Sequence, residues 1–246
     1  MERRRLLEGK KNLHPDDYLS FKVTNGFISF AFNGSKPSSS GSRNILEYSL
    51  DEGASWTQLN NGTSTPKIGP NETSGDTIWW RGECVTSNNV NNTDYNDPNN
   101  SYSSTYGTGI GTFTKNLDGN GGKFTVNGNI MSLIWKDNAA NKTTLLKNNS
   151  ILRHPFAGLF KGFEQLERFK SELPFVTLSI SCYANMFEGC KNLIEAPNLP
   201  AKRYLTTNNT EVGGLATCCY SNMFKGCTSL VNMPIISALT ENNENE

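Results

Sequence analysis

The sequence predicts a β domain joined to an α/β solenoid: an N-terminal antiparallel β-sandwich or small barrel, followed by a short ladder of stacked repeats. Three observations lead there. Short runs between residues 18 and 135 alternate apolar with polar positions, which is the period of strands. A sixteen-residue motif near the C-terminus occurs twice, the mark of a repeat architecture. The polar residues are weighted toward Asn, Ser, Thr and Gly, which favour turns and strand edges over helix interiors.

The 246 residues suffice for one large domain or two small ones. The pattern divides them into an arm at 1–17, a β domain at 18–150, a repeat domain at 151–240 and an acidic tail at 241–246. In the arm the five basic residues Arg3, Arg4, Arg5, Lys10 and Lys11 face four acidic ones, and it is expected to act as an anchoring peptide. Asn12, His14, Asp16 and Asp17 stand where a secretory signal places its apolar stretch, so no export signal is expected there.

From Tyr18 the pattern is β-type. Tyr18–Val23 and Phe27–Phe32 flank Asn25-Gly26, a dipeptide that accepts the positive φ angles of a tight turn, so a hairpin is expected. Further strands are expected at Ile45–Leu50, Ser55–Leu59, Thr77–Trp80, Gly111–Lys115 and Lys123–Val126. Ser49, Asp51, Gly53 and Trp56 follow the Asp-box spacing Ser-x-Asp-x-Gly-x-x-Trp. The physical expectation is a hairpin turn in which the carboxylate accepts backbone N–H groups, Gly is left-handed and Trp packs back over the turn. The stretch from Thr86 to Thr108 is expected to be a long loop carrying Tyr95, Tyr102 and Tyr106.

Cys182–Pro197 returns thirty-seven positions later as Cys219–Pro234 with nine of sixteen residues identical, and a degenerate copy begins near Pro155. Spacing of Tyr, Met and Phe by one helical turn, a following Gly, then Leu-x-x-x-Pro predicts a short helix, a turn and a strand in each unit. Such units bury an apolar face only by stacking, which assigns Met186, Phe187, Cys190 and Leu193, with Met223, Phe224, Cys227 and Leu230, to the repeat core. The matching positions of the cysteines predict reduced, buried side chains. The insertion from Tyr204 to Gly214 is expected as a surface loop.

The motif of an aromatic residue, then Met-Phe-x-Gly-Cys-x-x-Leu and Pro, resembles the BspA-like leucine-rich repeats of surface proteins of gut Bacteroidetes and their phages. The upstream β domain with its single Asp-box is similar to the β domains that often precede such repeats. The resemblance implies a non-enzymatic protein of adhesion or recognition.

Equal numbers of basic and acidic residues, 23 each, give no overall field to hold nucleic acid, and no apolar run is long enough to insert into a membrane. There is no Cys-x-x-Cys pair and the only histidines, His14 and His154, lie far from every cysteine in sequence, so no metal and no cofactor is expected. The nucleophile-elbow, zinc-protease and phosphate-loop motifs are absent, and an enzyme is not expected, although a carboxylate pair distant in sequence stays open. Trp80, Tyr95, Tyr102 and Tyr106 are the candidate ligand-binding aromatics. Trp79 and Trp80 point to opposite faces of one strand, one of them into the core.

These readings together predict a virion structural protein, a fibre, decoration or tail component, made in the host cytoplasm. It would be oligomeric, dock on other virion proteins through its arm and face a host glycan or protein with its repeats. The alternatives are a bacterial cell-surface adhesin and, below it, a carbohydrate-active enzyme.

Overall fold

A computed structural model describes residues 14–35, 42–84, 109–115, 121–142, 146–147, 150–151, 154–173, 177–179, 181–199, 203–205, 211–213, 215–216, 218–232 and 234. Strands dominate, and α1 (Ser132–Trp135) is a single helical turn. The largest element is a six-stranded sheet built from β1 (Leu19–Asn25), β3 (Leu46–Ser49), β4 (Thr57–Leu59), β5 (Thr77–Gly82), β7 (Lys123–Asn127) and β10 (Leu166–Phe169). Its strand order is β10-β7-β1-β5-β3-β4. All its pairings are antiparallel except that of β10 with β7, so the sheet is mixed and open, and the expected small barrel is not formed.

β2 (Phe30–Gly34) and β6 (Gly111–Lys115) pair antiparallel with each other and lie over one face of this sheet. The side chains between the two layers are mostly aromatic. Phe21 of β1 meets Phe30, Trp80, Phe113 and Phe124 with ring centroids 4.9–5.4 Å apart, and all five rings are fully buried. Burying one such side chain stabilises by roughly 1.5–3 kcal/mol, so this cluster supplies much of the driving force for the two-layer arrangement. At one end of the sheet the buried Ser132 hydroxyl donates to the Trp80 carbonyl at 2.8 Å and accepts the Leu19 N–H at 2.9 Å, which fastens α1 across β1 and β5.

The expected hairpin through Asn25-Gly26 does not form. β1 pairs with β5 and β7 while β2 pairs with β6, so the turn at Gly26 (φ 56) carries the chain from one layer to the facing one. Asn-Gly dictates a reversal, but both flanking runs carry inward-facing aromatics, and packing the two runs face to face buries Phe21 against Phe30. The remaining strands are small. β8 (Leu146–Lys147) and β9 (Ser150–Ile151) form a ribbon, and β11 (Thr177–Leu178), β12 (Arg203–Leu205) and β13 (Glu211–Gly213) a three-stranded sheet. The expected loop at 204–214 thus carries part of the hairpin β12–β13.

The repeat segments depart from the expected helix, turn and strand. Residues 154–162, 181–189 and 218–226 are successions of turns, because every fourth residue is left-handed: His154, Gly158 and Gly162, then Ser181, Asn185 and Gly189, then Cys218, Asn222 and Gly226, with φ between 51° and 78°. A left-handed residue at this spacing interrupts any α-helix before its first full set of bonds closes. The hydrophobic core runs without interruption from Leu19 of β1 to Met223 in the last repeat, and β10, from the first repeat, is a strand of the main sheet.

Candidate functional site

Each turn segment forms one coil, and successive coils lie against one another through main-chain hydrogen bonds. Phe156, Gly158, Phe160 and Gly162 donate their N–H groups to the carbonyls of Cys182, Ala184, Met186 and Glu188 at 2.7–3.0 Å. Tyr183, Asn185, Phe187 and Gly189 donate in the same way to Cys219, Ser221, Met223 and Lys225 at 2.8–3.0 Å. Side chains follow the same register. Phe113, Phe160, Phe187 and Phe224 form one column of rings 5.6–5.9 Å apart, with successive planes within 14°. Phe156, Tyr183 and Tyr220 form a second column with spacings of 6.0 and 5.8 Å.

Of the residues assigned to the repeat core, Met186, Phe187, Cys190, Leu193 and Met223 are buried, whereas Phe224, Cys227 and Leu230 in the last coil are half-buried. The cysteines are free thiols. Cys190 Sγ donates to the Phe160 carbonyl at 3.1 Å and Cys227 Sγ to the Phe187 carbonyl at 3.0 Å, so the residue after each repeat Gly serves as a short donor to the preceding coil. Burial pushes the Cys182 and Cys190 thiols well up, each helped by the cysteine of the next coil, and Cys219 up to about 11. These sulfurs therefore stay protonated near neutral pH and are weak nucleophiles.

The outer rim of the coils carries charge in matched rows. Glu188 accepts from Lys161 at 2.7 Å and from Lys225 at 3.3 Å, one cation from each neighbouring coil, and the hydrogen bond from Lys161 holds its carboxyl below the usual range. Lys191 pairs with Glu164 at 2.7 Å, and Arg168 with Glu195 at 3.2 Å.

A second cluster lies on the opposite face of the main sheet, and sequence reasoning missed it. Trp79 and Tyr18 stack at 5.7 Å, Trp56 lies 5.1 Å from Tyr18, and the Arg81 guanidinium sits 4.1 Å over the Trp56 ring. Arg81 donates to Glu47 at 2.6 Å and to Asp137 at 2.7 Å, while Asp137 also accepts the Tyr18 hydroxyl at 2.8 Å and Glu47 the Lys136 ammonium. Burial would raise the Glu47 carboxyl, but the bonds from Arg81 and Lys136 outweigh it and hold it below the usual range. Burial, reinforced by Asp137, pushes the Tyr18 phenol up. Both carboxylates are thereby committed to cations, an arrangement that locks β3 and β5 to the 3-10 turn Lys136–Asn138 that follows α1. The available signal was the alternation along β5, which puts Trp79 and Arg81 on the face opposite Trp80.

The Asp-box folds locally as its residues dictate. Asp51 accepts the Ser55 N–H at 2.8 Å and the Ser55 hydroxyl at 2.6 Å, Ser49 accepts the Gly53 N–H at 2.8 Å, and Gly53 takes φ 85. The hydrogen bonds from Ser55 and Ser49 hold the Asp51 carboxyl at about 2. Trp56 packs over Tyr18 and Arg81 and so ties the hairpin β3–β4 to the outer-face cluster.

Trp80, a candidate ligand platform, is corrected by its position. It is fully buried against Phe21, Phe30 and Phe113, and Trp79 on the other face is only 5% exposed, so neither ring is presented to solvent. The doublet reads as one inward and one outward ring, but the outward side is itself covered by Tyr18. Tyr95, Tyr102 and Tyr106, together with Arg3, Arg4, Arg5, Lys10 and Lys11, lie outside the described residues.

An open groove of about 580 Å³ is lined by Phe169, Lys170, Glu172, Leu173, Glu195 and Pro197, where β10 leaves the sheet. Among the described residues no group of three or more His, Cys, Asp or Glu side chains is placed to hold a metal ion. Among them, too, no helix is long and apolar enough to cross a membrane. No protein-family model, curated protein or solved structure matches the chain.

Proposed function

We propose that this chain is a non-catalytic recognition protein of a phage particle, with a short leucine-rich-repeat ladder of the BspA-like kind as its contact surface. The observation that carries the reading is the register of the coils: the residues shared by the two motif copies, Met-Phe-x-Gly-Cys, are those that hold one coil to the next. A motif spent on stacking builds an extended surface. Along it the rows Lys161–Glu188–Lys225 and Glu164–Lys191 present alternating charge, the kind of rim that sets partner choice more than affinity. In this reading residues 1–17 dock on other virion proteins, the β layers act as spacer, copies assemble as an oligomer, and the repeats face a host glycan or protein.

The test is deletion of residues 1–17 followed by co-sedimentation with particles. The proposal expects a folded protein that no longer attaches; attachment at full occupancy contradicts it. Detection of the protein on uninfected cells instead favours a cell-surface adhesin, and turnover in a broad glycosidase screen favours an enzyme.

A further inference from the structure

The coils are polar along their stacking direction. In the turn arms each inter-coil peptide directs its carbonyl back toward the preceding coil and its N–H forward. One column runs from the Ile110 N–H to the Pro155 carbonyl, from Phe156 to Cys182 and from Tyr183 to Cys219, at 2.9–3.0 Å. A second runs from Phe113 to Leu159, Phe160 to Met186 and Phe187 to Met223, at 2.8–3.0 Å. Two shorter columns start at Gly158 and Gly162, and all eight bonds between coils in these arms point the same way. The next donors in the four columns are the N–H groups of Tyr220, Asn222, Phe224 and Gly226, which have no acceptor among the described residues.

Aligned peptide dipoles in hydrogen-bonded chains polarise one another, so this edge carries the positive end of all four columns. On the extended arm the direction reverses: Ile194 donates to Glu167 at 3.1 Å and Val231 to Ile194 at 3.2 Å, which leaves the Val231 carbonyl as the next acceptor. Phe224 ends its ring column half-buried, and Val231 is 79% exposed. The opposite end of the stack is closed, because Ile110, just before β6, and Phe113 within it already donate to the first coil, and the Thr112 hydroxyl donates to the Gly158 carbonyl.

The geometry points to the last coil, residues 218–232, as a docking edge for a different polypeptide that enters as one more turn coil, its carbonyls directed at Tyr220, Asn222, Phe224 and Gly226. A second copy of this chain does not fit the role. Its first coil is covered by its own β6, and its last coil placed turn arm to turn arm sets donor against donor. An incoming coil of the same sense satisfies all four N–H groups, places a ring or an apolar side chain on Phe224 and covers Val231. The inference does not depend on the chain belonging to a particle.

The test uses the full chain carrying at its C-terminus a flexible Gly/Ser linker and a further copy of residues 181–199, which contains the four carbonyls that accept in the stack. Tethering supplies an effective concentration in the millimolar range. The readout is amide hydrogen exchange. The expected result is that Tyr220, Asn222, Phe224 and Gly226 exchange at least about tenfold more slowly than in the untethered chain, and that Phe224→Asp reverses the protection. If Phe224→Asp loosens the coil itself, seen as faster exchange at Tyr183 and Phe187, Val231→Glu serves in its place. The proposal is overturned if the four amides exchange equally fast with and without the added coil. It is also overturned if they are already protected in the untethered monomer, or become protected as its concentration is raised.

Discussion

Replacing Phe187 with alanine removes one of the two interior rings of the column that joins the repeats to the β layers. Phe187 is fully buried, lies 5.9 Å from Phe160 and 5.7 Å from Phe224 in near-parallel planes, and meets Phe169 edge-on at 5.0 Å. Truncation of a fully buried phenylalanine costs about 3–5 kcal/mol, part of it for the cavity left behind. Favourable ring pairs add about 0.5–1.5 kcal/mol beyond area, so a loss of about 4 kcal/mol is expected. Phe224, half-buried and with Phe187 as its ring neighbour in the column, should lose only about 1–2 kcal/mol on the same change. Urea denaturation followed by tryptophan fluorescence, with free energies from linear extrapolation, measures both. The comparison decides more than either value. A Phe187→Ala loss below about 1 kcal/mol, or one no larger than that of Phe224→Ala, refutes a shared interior between the coils.

Gly189→Ala places a side chain at φ 78, where the nearest non-neighbour atom, Gly162 Cα at 3.5 Å, is an ordinary contact; the loss is therefore backbone strain of about 1 kcal/mol, read as a lowered Tm. Iodoacetamide near pH 8 should label Cys182 and Cys190 only on unfolding, because burial keeps both protonated; native-state labelling at the rate of an exposed thiol contradicts their placement. The Asp51 carboxyl should titrate near 2 by NMR. Its folded value lies below its unfolded one, so its contribution to stability is complete above the unfolded range and fades as pH falls toward 2, and Asp51→Asn should remove that part of the acid dependence.

The strands were legible where alternation, turn residues and burial agree. β3 through β7 fall within two residues of the expected runs, since each is short, bounded by Gly or Asn and apolar on at least one face. What did not follow from sequence was partner choice. Asn25-Gly26 encodes a reversal whether its flanks pair edge to edge or pack face to face, and only the aromatic layer contributed by Phe113, Phe124 and Trp80, distant in sequence, decides between them. In the repeats, spacing by one helical turn also fits a turn every four residues. The distinguishing signal was Asn185 and Asn222, which tolerate left-handed backbone, four residues before Gly189 and Gly226. The outer-face cluster was hidden because Tyr18, Glu47, Arg81 and Asp137 come from four separate stretches of chain.

Scalar coupling across hydrogen bonds, from an amide nitrogen to the carbon of the carbonyl whose oxygen accepts its proton, reads the pairing of one coil with the next bond by bond. Stacked coils give couplings from Tyr183 to Cys219, Asn185 to Ser221, Phe187 to Met223 and Gly189 to Lys225. Couplings from these amides to carbonyls four residues earlier in sequence, as in a helix, would contradict it.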